Sequence, residues 1–255
     1  MALALASPLL LDGRGLLLAS GCVLVASIAR GFSGFGFAIG AVPLLSLVLE
    51  PVRVVPLVML LQAVAGLDTT WRQRRLVDWP TTGWLLAGAS AGLVPGVALL
   101  ASLSADLLHL LIAAIVVPST ALLGLGWRLR AMPGRGTTAL IGAVAGLLNG
   151  AAAMPGPPVI ALYLAAPRPQ AVCRASLVSF FLITGVAGIL VAATRGLIDA
   201  GSLVLAGLLA PAMLLGSWLG GRAFALGGAR CYRPASLAFL VAIAATALLQ
   251  ALRAF

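Results

Sequence analysis

Two short runs concentrate the residues of this chain that could do chemistry. One is Arg30-Gly31-Phe32-Ser33-Gly34-Phe35-Gly36-Phe37, the other Asn149-Gly150-Ala151-Ala152-Ala153-Met154-Pro155-Gly156-Pro157-Pro158. Each interrupts an apolar stretch that would otherwise read as a membrane helix. A break of this kind starts a new helix beyond it, and a helix start presents unbonded N–H groups and roughly half an elementary positive charge. Such ends hold anions without a side-chain cation. Ser33 can cap and donate, and Asn149 adds a neutral amide. Gly34, Gly36, Gly150 and Gly156 allow close approach to backbone, with Phe37, Pro155 and Pro157 beside them. Proline suits a first helical turn because little hydrogen bonding is lost there. Arg30 adjoins the first break, and a charge near membrane depth is costly enough to imply a role unless it reaches the interface. Arg53 and Arg174 each open a long apolar helix and are placed to attract anions at two mouths.

Other chemistries fit less well. Gly31-Phe32-Ser33-Gly34 matches Gly-x-Ser-Gly, and a lone His109 could complete the dyad of an intramembrane serine protease. That dyad requires hydrogen-bond reach between imidazole and serine. His109 stands three residues after Asp106, near the outer end of its helix, and a protease leaves the second break unexplained. The chain is therefore not expected to be an enzyme. Cys22, Cys173 and Cys231 lie far apart, and with a single histidine no Cys/His metal cluster can be built. No metal or other cofactor is expected. Gln62, Ser176, Ser179 and Thr184 read as interhelical hydrogen-bonding residues. The six acidic residues fall at or near helix ends, which leaves no carboxylate relay and argues against a cation as substrate.

The elements that must hold these runs are membrane helices. Of 255 residues, 62% are hydrophobic and 9% charged, with a mean hydropathy of +1.16. A soluble domain carries roughly 25% charged residues, and a helical span needs about 20 apolar ones. Most of the chain divides into such pieces, and the first is read as a retained helix rather than a signal peptide. The charge of +10 comes from arginine alone. Those arginines are scattered singly between apolar runs, without interleaved aromatics, so they read as topogenic and nucleic acid is not an expected partner.

The order of events repeats. A shift of 119 lays Gly31 on Gly150, one of 121 lays Arg53 on Arg174, and one of 122 lays Val64-Ala65-Gly66 on Val186-Ala187-Gly188. The expected fold is an all-α polytopic membrane protein of two inverted repeats, 1–126 and 137–255, joined by a cytoplasmic loop at 127–136. Each repeat holds a broken or re-entrant helix pair plus three transmembrane helices. In the second repeat these include separate spans at 202–224 and 235–252, divided by a loop with Arg230 and Arg233. With the loops at 72–78, 127–136, 167–174 and 222–233 in the cytoplasm, eleven of the sixteen arginines lie inside, in accord with the positive-inside bias. An odd crossing count per half then inverts the second half and places both termini outside. By that symmetry the two helix starts can meet near the midplane, facing one anion.

At these residues the chain resembles the sulfite and organosulfonate exporter family (TauE/SafE type, also called the toluene sulfonate uptake permease family). The resemblance lies in Gly34-Phe35-Gly36-Phe37 followed by Val42-Pro43-Leu44-Leu45. In the second half it lies in Gly150, Pro155-Gly156-Pro157-Pro158 and Leu162-Tyr163-Leu164. Phe37-Ala38 stand where the family often has further glycines, and Pro155 replaces one. The resemblance implies a bacterial inner-membrane transporter exporting a small sulfur-containing anion, a sulfonate such as sulfoacetate or sulfite, by alternating access. An uncoupled anion channel is the nearest alternative. The expected partners are that anion and the lipid bilayer, and nothing in the sequence excludes a homo-oligomer.

Overall fold

The computed structural model describes residues 12–33, 36–125 and 131–253. Among them every regular element is helical. In chain order these are α1 (Gly13–Ser33), α2 (Phe37–Leu45), α3 (Pro51–Gln73), α4 (Trp79–Ser102), α5 (Ala105–Leu125), α6 (Arg135–Ala152), α7 (Gly156–Ala165), α8 (Gln170–Thr194) and α9 (Ala200–Arg253). Four described segments are long and apolar enough to cross a membrane: Gly13–Phe32, Trp79–Ser102, Ala171–Thr194 and Ala200–Ala223. Leu17, Leu18, Leu140, Leu190 and Leu203 stand on the outer surface, where lipid tails rather than water suit them.

Lipid provides no hydrophobic drive between helices, so close approach has to come from small residues. Two seams supply it. Along α4, Gly88, Gly92 and Gly96 lie against the α6 backbone at Ala139, Ala143 and Leu147, while Gly142, Gly146 and Gly150 lie against α4 at Leu85, Ala89 and Leu93. The pairing advances in the same direction on both helices, so α4 and α6 run parallel. The second seam joins α1 to α9. Gly216 and Gly220 meet Leu24, Ser27 and Ile28, and Gly31 meets Ser217.

Between the seams α3 packs on α8, with α3 also touching α9 and α4 touching α8. Gly66 meets Leu182 whereas Gly188 meets Met59, so α3 and α8 are antiparallel. That direction sorts the charges. Arg53 shares one end of the bundle with the α8–α9 turn at Arg195 and Asp199. Asp78, opening α4, shares the other with Arg168, to which it is bound. These two ends are called below the Arg53 end and the Asp78 end.

One expectation is corrected. The two final spans separated by an arginine-bearing turn are a single helix, α9, of 54 residues, about 81 Å at about 1.5 Å per residue. Residues 222–233 are mostly alanine, leucine and arginine with one glycine pair. They include no Ser, Thr, Asp or Asn to cap a new helix, so local preference continues the old one. The remaining spans begin and end within a few residues of expectation, and residues 127–130 of the expected central loop lie outside the described residues.

A Cβ at Gly92 or Gly146 would run into backbone of the facing helix, which cannot rotate away as a side chain can. Gly92→Val and Gly146→Val should each destabilise the protein by at least about 1–3 kcal/mol. Gly83→Ala on α4, with open space at that Cβ, should leave stability unchanged or slightly raised. Thermal unfolding in detergent checks the contrast.

Candidate functional site

Both breaks are real interruptions, and they end differently. In the first, Gly36 takes the left-handed conformation (φ 88°, ψ 8°) and α2 starts at the next residue. Only glycine adopts that backbone without penalty. The nine residues of α2 are buried apart from Leu44, so this short helix is enclosed by protein, as irregular backbone at membrane depth must be. In the second, α6 closes at Ala153, also left-handed at φ 54°. The Ala153 N–H donates to Asn149 O at 2.8 Å, and the Met154 N–H to Leu148 O at 3.2 Å. An alanine there costs about 1–2 kcal/mol. Its carbonyl is satisfied from α3, where Gln62 Nε2 donates to Ala153 O at 3.2 Å.

The two interruptions meet. A pocket of about 500 Å³, its mouth included, is lined by Gly36, Phe37, Ala38 and Ile39 from the first and by Met154, Pro155 and Gly156 from the second. Arg30 enters from the end of α1. Gln62 and Gly66 of α3 form one wall, and Val178, Phe181 and Leu182 of α8 another. Arg30 is held by a weak bond from Nη2 to Ala65 O at 3.4 Å. Ala65 is one helical turn from Gln62, so a single face of α3 ties down both breaks. A guanidinium carries five N–H donors and no acceptor, and among the described residues no carboxylate pairs with Arg30. A cation so placed favours a negative guest.

The two helix starts are chemically unequal. The first turn of α2 brings the amides of Phe37, Ala38 and Ile39, which have no carbonyl four residues back within the helix. Across Pro155-Gly156-Pro157-Pro158 only Gly156 has an N–H. The donors at this site are therefore mainly those of α2, the guanidinium of Arg30 and one amide of α7. The rest of the lining is apolar or aromatic.

Of the expected binding residues, Arg30, Gly36, Phe37, Pro155 and Gly156 line this pocket. Pro157 is buried in the first turn of α7 but is not part of the lining. Ser33 closes α1, and its side chain, like Gly34, lies outside the described residues. Gly150 belongs to the α4–α6 seam, where its Cα faces Leu93 and Val97. Asn149 is 1% exposed and donates Nδ2 to Thr184 O at 2.9 Å, which ties α6 to α8 rather than facing the pocket. Arg53 and Arg174 stand at opposite ends of the bundle. The pocket residues not anticipated are Ala38 and Ile39 of α2, Met154, Ile160 of α7 and those of α3 and α8. Gln62 was legible only as a lone polar residue in an apolar helix, four residues from Gly66 on the same face.

The family described as sulfite exporter TauE/SafE matches residues 19–247. No curated protein and no solved structure matches. With nearly the whole chain covered, this protein belongs to the TauE/SafE family, whose members are membrane transporters and not enzymes.

The two left-handed residues should respond oppositely to exchange. Gly36→Ala forces a side chain into φ 88° and should cost about 1–2 kcal/mol. Ala153→Gly relieves that strain, less the entropy glycine loses on folding, and should be neutral or stabilising by up to about 1 kcal/mol. Differential scanning of the detergent-solubilised protein measures both.

Proposed function

We propose that this member of the TauE/SafE family exports a small sulfur-containing oxyanion, a sulfonate such as sulfoacetate or sulfite, by alternating access around the pocket between the two breaks. The observation that carries the proposal is that residues from both breaks line one space together with Arg30, a cation without a carboxylate partner among the described residues. In a low-dielectric site a guanidinium, a row of amides and one further N–H stabilise an anion far more than water-exposed groups could.

The proposed architecture is two inverted halves, 1–126 and 137–255 about the connecting loop 127–136. Several correspondences support it. The α1–α9 seam has its counterpart in the α4–α6 seam, each pairing the first helix of one half with a later span of the other. The α3–α9 contact corresponds to α4–α8, and α3–α8 to itself. The membrane-spanning part of α9 is then 200–223. The arginine distribution favours a bacterial inner membrane with both termini outside and the Asp78 end cytoplasmic. Arg53 and Arg174 then concentrate anions at the two mouths.

Proteoliposomes loaded with sulfite, sulfoacetate and other sulfonates, compared with sulfate and with cations, test the proposal. Uptake of labelled sulfonate should be accelerated by sulfonate on the opposite side, a trans-stimulation that a simple channel lacks. Arg30→Gln should lower transport about 10- to 100-fold, the worth of a charge-assisted contact, and Arg30→Lys should recover part of it. Transport of cations but no anion, or full activity in Arg30→Gln, would overturn the proposal.

A further inference from the structure

Four tryptophans stand on the surface: Trp71 at 69% exposure, Trp79 at 47%, Trp84 at 44% and Trp218 at 53%. All four lie at the Asp78 end of the bundle. Trp71 is in the last turn of α3, Trp79 opens α4, and Trp84 is little more than one turn further in. Trp218 lies about 27 Å along α9 from its start at the Arg53 end, at about 1.5 Å per residue. Among the described residues no tryptophan or tyrosine stands at the Arg53 end. Membrane proteins ordinarily carry such rings at both interfaces, so placement on one face alone points to something bound there.

Three of the four rings carry an arginine over their face. Arg74 Cζ is 4.2 Å from the Trp71 centroid, and Arg222 Cζ is 4.4 Å from that of Trp218. Arg135, opening α6, brings its Cζ to 5.9 Å from the Trp84 centroid. Each distance is within the range of about 6 Å over which a guanidinium and an aromatic face attract. Arg74 is fixed further, for its Nη1 donates to Trp71 O at 2.7 Å and Trp79 Nε1 donates to Arg74 O at 3.3 Å. An arginine that only sets topology has no need of a ring beneath it. A ring contact supplies no acceptor for the N–H donors of a guanidinium, and no carboxylate pairs with Arg74, Arg135 or Arg222 among the described residues.

We infer that these arginine–tryptophan pairs form a collar that binds anionic phospholipid in the leaflet at the Asp78 end. The charges there suit one sign of partner. Arg74, Arg75, Arg135 and Arg222 are exposed, while the one described carboxylate side chain, that of Asp78, is 7% exposed and bound by Arg168. Asp12, Glu50, Asp106 and Asp199 all stand at the Arg53 end, which offsets the arginines on that face. A lipid phosphate accepts the charge-assisted hydrogen bonds that the rings do not supply. The exposed indoles pack on the glycerol and upper acyl chains, which a soluble anion lacks. The collar lies outside the pocket at Arg30 and holds whatever that pocket transports.

Lipids with brominated chains read the collar through its own rings. With Trp127→Phe, tryptophan emission comes from the four collar residues alone. The full chain is reconstituted in phosphatidylcholine vesicles containing either brominated phosphatidylglycerol or brominated phosphatidylcholine at equal mole fraction. The ratio of quenching gives the relative affinity for the two headgroups, and the phosphatidylcholine arm shows that each variant is inserted. The parent should prefer phosphatidylglycerol about fivefold or more, the effect of about one arginine beside an anionic surface. Arg74→Gln, Arg135→Gln and Arg222→Gln together should bring the ratio close to one, and lysine at the same three positions should retain part of the preference. Arg14→Gln, Arg53→Gln and Arg195→Gln together remove the same charge from the other end and should leave the ratio as in the parent. A parent ratio near one, or an equal loss in the two glutamine variants, would overturn the collar. So would displacement of the brominated lipid by soluble glycerol phosphate, which would make this a site for free phosphate.

Discussion

A helix that stops inside hydrocarbon leaves amides and carbonyls that lipid cannot satisfy, at several kcal/mol each. Everything around the two breaks answers that constraint. The short helix α2 is almost wholly buried, and the left-handed end of α6 has its carbonyl taken by Gln62. The guanidinium of Arg30 rests on a carbonyl of α3. Residues of both breaks and Arg30 converge on one pocket.

The packing differs between the helix pairs. The glycine seams of α4 with α6, and of α1 with α9, bring backbones so close that no side chain separates them. Each pair joins a broken helix of one half to an intact span of the other. The contact between α3 and α8, by contrast, relies on larger side chains such as Met59 and Leu182 meeting Gly188 and Gly66. Such a surface tolerates sliding better than a seam of interlocked backbones.

Charge does a different job at each depth. At the ends of the bundle arginines and aspartates can face water and pair, as Asp78 and Arg168 do. At the pocket a single arginine lacks such a partner among the described residues, and the effective dielectric of a protein site, about 4-fold below that of water, strengthens its field. With no lysine in the chain, each of these cations is a planar, multiply donating group suited to oxyanions.

The sequence by itself determined the membrane environment, the family, the helix spans to within a few residues and the location of both breaks. These follow from composition, from hydrophobic run length and from glycine and proline, which act through local backbone sterics and need no partner. Of the residues it singled out, Arg30, Gly36, Phe37, Pro155 and Gly156 line the pocket. Tertiary structure alone decided that Asn149 and Gly150 serve the helix contacts and that Gln62, Val178 and Phe181 form the walls. It also decided that the last helix continues where a turn was expected. Those outcomes depend on which helix lies opposite, information held in pairs of residues about a hundred positions apart and invisible to any local pattern.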